Sequence, residues 1–245
     1  MHEAQMHDAN SFITLTYNEE WLPYDGSLVK PHFQKFLKKL RKRIGTKIRY
    51  FMCGEYGEHF GRPHYHACIF GYDFPDRVLW KKINGVSLFI SPLLSEIWGK
   101  GFATVGAVSF ESAAYVARYT LKKKTGPEAE DHYFKQHEWV DLQFEVEPEY
   151  ANMSLKPGIG QTWLEKFETD VYPRDEVIVR GFSQKPPRYY DEIYRRDNEQ
   201  DLERIKQNRT QRARKRAHDN TNKRLATRER CRELKIKHFK KRSLK

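Results

Sequence analysis

The stretch Gly61-Arg62-Pro63-His64-Tyr65-His66-Ala67-Cys68-Ile69-Phe70-Gly71 decides how this chain is read. It sets two histidines in an apolar, β-prone run. Successive strand side chains point to opposite faces, so His64 and His66 share one face while Tyr65 and Ala67 take the other. Two imidazoles about 7 Å apart along a strand, leaning together, can chelate one metal ion. Just upstream, Ile48-Arg49-Tyr50-Phe51-Met52-Cys53-Gly54-Glu55 reads as a second strand, joined to the first by a short link rich in Gly and charge. Strands joined so closely pair antiparallel. That brings Glu55 beside the histidines and adds a carboxylate to the two imidazoles. An HxH by itself also describes two ordinary histidines on a half-exposed strand, so the flanking sequence carries the reading.

Towards the N-terminus, Ser11 to Tyr17 alternates as a strand, with Ile13, Leu15 and Tyr17 on its apolar face and Phe12, Thr14 and Thr16 on the other. Pro23 and Asp25-Gly26 mark a loop. Pro31 to Ile44 repeats Phe33, Phe36, Leu37, Leu40 and Ile44 at helical spacing, with Gly45 placed to end the helix. Its other face carries Lys35, Lys38, Lys39, Arg41, Lys42 and Arg43, either merely solvated or laid along a phosphate backbone.

Downstream, residues 72–90 show no clear pattern. Ser91 to Trp98 reads as a short helix, Phe102 to Val108 as a strand and Ser109 to Lys124 as a helix. On that last helix Tyr115 and Tyr119 stand one turn apart, and Lys122 and Lys123 continue the same face. Lysines rarely go inside, which is odd company for core tyrosines. Residues 128–150 read as an acidic, polar excursion. Gln161 to Phe167 reads as a short helix, Val177-Ile178-Val179 as a brief strand and Lys185 to Tyr190 as a linker. Beyond Asp191 the chain is charged and helix-prone, either a long solvated helix or disordered until it meets a partner.

Composition narrows the function classes. The 245 residues are 38% hydrophobic with 15 Phe, 14 Tyr and 5 Trp, enough to bury a real core. No run approaches a membrane span, and the first residues lack a secretory pattern. Cys53, Cys68 and Cys231 form no CxxC pair, which argues against a disulfide framework or a structural zinc site and for a reducing cytoplasm. Net charge is +12. Residues 1–190 carry 25 Lys+Arg against 24 Asp+Glu, whereas 191–245 carry 20 against 9. A nearly neutral body with a basic tail points to a polyanionic partner, nucleic acid first.

These parts make chemical sense together. A tyrosine hydroxyl, with an ordinary pKa near 10, is a poor nucleophile at neutral pH. A divalent metal held by His64, His66 and Glu55 would polarise a phosphodiester oxygen, and Lys122 would steady the phosphate or lower the tyrosine pKa. The product would be a covalent phosphotyrosine, and a second tyrosine one turn away could attack the next phosphodiester.

The order strand 12–17, Pro63-His64-Tyr65-His66, then Tyr115-x-x-x-Tyr119-x-x-Lys122 resembles the three motifs of HUH-superfamily rolling-circle replication initiators. Gly54-Glu55-Tyr56-Gly57, Gly61-Arg62-Pro63-His64-Tyr65-His66 and the two-tyrosine helix resemble, more narrowly, the initiators of the gokushovirus branch of microviruses, small single-stranded-DNA bacteriophages. The likeness covers about residues 11–125. Lys156-Pro157-Gly158-Ile159-Gly160 and Lys185-Pro186-Pro187-Arg188-Tyr189-Tyr190 extend it to about 194. It implies an α+β fold with a central antiparallel sheet of about five strands flanked by helices, followed by a basic helical or disordered tail. It implies a Mg2+ or Mn2+ site and nicking of single-stranded or supercoiled origin DNA in the host bacterial cytoplasm, leaving a 5′-phosphotyrosine and a free 3′-hydroxyl that primes synthesis. His64 and His66 match the paired metal ligands and Glu55 the acidic one, with Glu58 close enough to compete. Tyr115 and Tyr119 match the paired nucleophiles and Lys122 the following lysine. Arg118, Lys123, Lys38 and Lys42 are the candidate DNA contacts.

Three regions are expected: an endonuclease core, 1–127; a family-specific excursion packed on it, 128–190; and a basic tail, 191–245. Members of the branch usually carry a cysteine-containing segment before the first strand, whereas ten residues precede it here, so that segment's role is absent or the start is truncated. There is no GxxxxGK[ST], so unwinding falls to a host helicase and synthesis to a host polymerase. Two other readings stand beside this one. A non-catalytic single-stranded nucleic-acid binder would use the sheet's aromatics and the tail. An HUH-type transposase generally uses one tyrosine, against the two present here.

Overall fold

The computed structural model of the chain describes residues 1–57, 61–119, 123–136 and 143–242. In chain order its first part runs α1 (His2–Gln5), β1 (Asn10–Thr16), α2 (Lys30–Ile44), β2 (Arg49–Tyr56), β3 (Pro63–Phe70), β4 (Val78–Ile83), β5 (Val86–Ile90), α3 (Pro92–Trp98), β6 (Ala103–Gly106), α4 (Phe110–Tyr119), α5 (Pro127–Tyr133), β7 (Phe134–Gln136), β8 (Gln143–Glu145), β9 (Tyr150–Met153) and α6 (Gln161–Val171). Non-helical Phe167 (φ −123°) interrupts α6, and the chain divides there into two compact units, Met1–Lys166 and Phe167–Lys245.

The first unit is built on a seven-stranded antiparallel sheet in the order β4-β5-β6-β1-β3-β2-β9. The α+β expectation therefore stands, with the sheet wider than the expected five strands. The β4–β5 hairpin widens one side, and β9, from the stretch read as an excursion, pairs with β2 on the other. The hairpin turns at Asn84-Gly85, both with positive φ (49° and 81°), the backbone that a two-residue turn between twisted strands demands. A bulge between Leu79 and Lys81 breaks the alternation of β4, which is why 72–90 shows no period in the sequence.

The alternation of β1 sorts the two faces of the sheet. Ile13 and Leu15 are fully buried, and on the same face lie Met52, Tyr65, Ala67, Ile69, Ala103 and Val105. Against them pack Phe33, Phe36, Leu37 and Leu40 of α2 with Leu94, Ile97 and Trp98 of α3. Each such buried side chain contributes about 1.5–3 kcal/mol, so the stripe holds α2 to the sheet and leaves its lysines in water. Gly45 ends α2 in the left-handed region (φ 68°), donating to Arg41 O. On the opposite face, Cys53, Cys68 and Phe70 meet Val116 of α4, with Phe12, Phe51 and Ala113 around them.

Sequence boundaries move in three places. The helix expected to reach Lys124 is described only to Tyr119, and Lys123 and Lys124 are not helical, so Lys123 does not continue the tyrosine face. Val177–Val179 (β10) pairs with Phe182–Gln184 (β11) in its own hairpin rather than joining the large sheet. The stretch read as a linker starts α7 at Arg188 (Arg188–Tyr194). The basic tail is helical, as α8 (Glu199–Lys215) and α9 (Asn222–Arg242). Leu202 and Ile205 bury the inner side of α8, and Arg209 bridges Asp175 and Asp191. Among the described residues no helix is long and apolar enough to cross a membrane.

Candidate metal centre and catalytic face

Register builds this site. In the β2–β3 ladder Glu55 stands opposite His64, and Cys53 opposite His66. In the β1–β3 ladder Thr16 and Thr14 stand opposite the same two histidines. Directly opposed side chains on one face lie about 5 Å apart at their Cβ atoms, so three strands deliver their groups to one point. Glu55 Oε1 lies 3.2 Å from His64 Nε2 and 2.8 Å from His66 Nε2. One ligand atom from each of the three residues lies within 4.8 Å of the others.

The second ring nitrogens orient the donors. His64 Nδ1 donates to Arg62 O at 2.9 Å, which directs the lone pair of the neutral ring to Nε2, towards Glu55. His66 Nδ1 sits 2.9 Å from Thr14 Oγ1, and its ring stacks on Phe12 with centroids 5.7 Å apart. Arg62 is itself held, donating to Tyr17 O and pairing with Glu19. Glu55 is 1% exposed. Burial pushes its carboxyl up, but the hydrogen bonds and charge of His64 and His66 outweigh that and hold it below its ordinary value. Electron-rich atoms converging this closely need positive charge among them, either protons on the imidazoles or a cation. Two imidazole nitrogens and one carboxylate fit a divalent cation with positions left open for substrate.

Helix α4 lies over β2, β3 and β9. Val116, fully buried, anchors it, and the preceding residue, Tyr115, then faces the site. The Tyr115 hydroxyl donates to Glu55 Oε1 at 2.9 Å, and its ring meets the edge of His66 with centroids 4.9 Å apart. Tyr119 closes α4 one turn on. Its side chain, like Lys122 and the competing acid Glu58, lies outside the described residues.

The candidate DNA contacts scatter. Arg118 is exposed on α4 with its Nε bonded to Ala114 O, and Lys123 is exposed beyond the helix. Lys38 and Lys42 are exposed on α2, which packs on the face of the sheet opposite the triad. They are therefore not brought together with His64 and His66. Thr14, Phe12 and Arg62 do surround the histidines and were not singled out from sequence. Only pairing register reveals them, and register is a long-range property.

Comparison with known proteins adds an independent line. Residues 10–124 match the family profile of replication-associated proteins of the ORF2 type. The chain is 33% identical over 209 residues to replication-associated protein VP4 of Bdellovibrio phage phiMH2K, an alignment covering 80% of this chain and 61% of that protein. It is 34% identical over 203 residues to replication-associated protein ORF2 of Spiroplasma virus 4, covering 77% and 58%. Replication-associated protein ORF4 of Chlamydia phage 1 is 27% identical over 213 residues, covering 82% and 50%. The chain thus spans between half and about three-fifths of the length of these relatives. No solved structure matches it. The matched segment begins at the first residue of β1 and carries Glu55, His64, His66, Tyr115 and Tyr119, and through it the chain belongs to the family of ORF2-type replication-associated proteins.

Proposed function

We propose that this chain nicks and rejoins single-stranded DNA at a phage replication origin, through a tyrosine nucleophile beside a divalent-metal site, and so starts rolling-circle replication in the host cell. The observation that carries the reading is the Tyr115 hydroxyl held 2.9 Å from Glu55 Oε1, against the cluster of Glu55, His64 and His66. Family membership supports the replication role.

His64, His66 and Glu55 hold the cation, Mg2+ or Mn2+. When bound it supplies Lewis-acid polarisation of a phosphodiester oxygen and offsets the charge that develops there. The tyrosine oxygen attacks phosphorus and the bond to the 3′ oxygen breaks, leaving a 5′-phosphotyrosine and a 3′-hydroxyl. A phenol needs help at neutral pH, and Glu55 Oε1, already the acceptor of the Tyr115 proton, gives it. One phosphodiester replaces another, so the strand can be resealed without an outside energy source. Tyr119, one turn on, serves as the second nucleophile and Lys122 steadies the phosphate. Arg118 and Lys123 meet the incoming strand. Host helicase and polymerase supply unwinding and synthesis.

The test is incubation with labelled single-stranded phage DNA, with Mn2+, Mg2+ or EDTA. A metal-dependent protein–DNA band is expected, weakened in Tyr115→Phe and in Tyr119→Phe and absent from the double variant. A band that persists in the double variant, or in EDTA, overturns the mechanism. Salt-dependent binding with no cleavage of any strand would assign the chain to the non-catalytic binders.

A further inference from the structure

The face of the sheet that carries the triad continues past β1. Ala103 pairs with Leu15 on the core face, so Phe102, the next residue, turns to the face of Thr14, Thr16, His64 and His66. Thr16 N donates to Phe102 O at 2.9 Å, extending the ladder by one residue. Phe102 therefore lies in the row that runs through Thr16 and His64 to Glu55, about 10 Å from His64 at two interstrand spacings. Gly101 sets it there: a Cβ at this position would lie 2.3 Å from Asn18 N and 2.5 Å from Thr16 O, so only glycine lets the turn press on the end of β1.

One further side chain joins the row from β4. The Trp80 ring meets Phe102 edge-on with centroids 4.8 Å apart. Trp80 is the extra residue of the β4 bulge, and Lys81 sits on the same side, its Nζ 3.9 Å from the Trp80 centroid. A bulge re-aims side chains in this way, setting an aromatic and a cation together. Trp80 and Phe102 remain 43% and 46% exposed. Two residues before Phe102, Lys100 lies over the Trp21 ring with Nζ 3.4 Å from its centroid. Burial, then Lys39 and Lys35, hold the Lys100 ammonium below its ordinary value, so three lysines crowd this rim. Among the described residues none of Lys35, Lys39, Lys81 and Lys100 is paired with a carboxylate.

We propose that Trp80 and Phe102, with Lys81 and Lys100, form the platform that seats single-stranded DNA next to the reacting phosphodiester. Exposed rings interleaved with cations that lack carboxylate partners match the two parts of an unpaired strand, its base faces and its phosphates. A duplex hides its base faces and would leave the rings unused. The lysines Lys35 and Lys39, not Lys38 and Lys42, are the α2 cations that approach this strip. The proposal deepens the nicking reading and rests on it for the role of the seated strand.

Its test separates the two. Binding of a fluorescein-labelled oligothymidylate is followed by anisotropy in EDTA, where no cleavage enters, for the wild type, Trp80→Ala, Phe102→Ala, Trp80→Phe and Phe102→Tyr. Each alanine variant is expected to bind roughly 5- to 100-fold more weakly, the range for one lost stacking partner, while the aromatic replacements stay near wild type. Trp80 fluorescence is expected to fall when the strand binds. Unchanged melting of these surface variants checks their folding. Alanine variants that bind within twofold of wild type, or a wild type that does not bind the oligonucleotide, overturn the platform. Loss of binding in the alanine variants, with no covalent adduct formed by the wild type on any strand, keeps the platform and removes the nicking reading.

Discussion

Removing the Glu3 carboxylate is expected to loosen the strand that carries Glu55. Glu3 is 1% exposed. It pairs with Arg49 at the start of β2, accepts from Gly160 N at 2.6 Å and lies 3.2 Å from His7 Nε2. Arg49 also donates to Pro157 O at 2.7 Å, so one carboxylate ties α1, β2 and the 157–160 turn. Glu3→Gln keeps an acceptor for Gly160 but gives up the charge, a loss of about 1.5–3 kcal/mol. Glu3→Ala also leaves the guanidinium and the amide facing an empty pocket, about 3–5 kcal/mol. At about 2–4 °C per kcal/mol, the alanine variant is expected to melt roughly 6–20 °C lower. All five tryptophans lie within residues 1–166, so tryptophan fluorescence reads this unit alone. The effect has a signature in pH. Burial pushes the Glu3 carboxyl up, but Gly160, His7 and Arg49 outweigh it and the folded pKa lies below the ordinary one. The stabilisation is then complete above the unfolded value, about 4.3, and is lost as pH falls through the folded one. The gap between wild type and Glu3→Gln should be full at pH 7 and close in acid. An alanine variant melting within 2 °C of wild type at pH 7, or a gap that widens in acid, would refute this reasoning.

Two further outcomes follow from the same geometry. Mn2+ at about a hundred times its Kd should stabilise the chain by about 2.7 kcal/mol, a rise of roughly 5–11 °C, and His64→Ala or Glu55→Ala should abolish that rise; an equal rise in the variants would place the cation elsewhere. In the second unit, Arg209→Met should leave Asp175 and Asp191, 8% and 13% exposed, facing each other without their cation, a loss of about 3–5 kcal/mol seen as faster amide exchange along α8; unchanged exchange would show the bridge to be dispensable.

The parts of this chain that were legible in sequence are those that local physics decides. The alternation of Ser11 to Tyr17 and the stripe Phe33, Phe36, Leu37, Leu40 each follow from a period that one element must satisfy to bury its face. His64 and His66 share a face for the same reason, and a short link to β2 leaves antiparallel pairing as the simple outcome for Glu55. Harder to see were the elements whose period is broken or too short. The β4 bulge scrambles the alternation of Val78 to Ile83, although Asn84-Gly85 between two β-prone runs was a usable hairpin signal. β9 has only four residues, Tyr150–Met153, and is a strand because β2 offers it an edge.

By itself the sequence determined the α+β class, the histidine strand, the carboxylate beside it and the spacing of the tyrosines, because each depends on neighbours a few residues away. Tertiary structure decided what those residues meet. Thr14 reaches His66 from 52 positions away, Tyr115 reaches Glu55 from 60, and Phe102 joins their row through a backbone bond to Thr16. Such encounters depend on strand register and on which face a helix covers. Both are settled by burying the whole core at once, where a shift of one residue would turn every side chain of a strand to the wrong face.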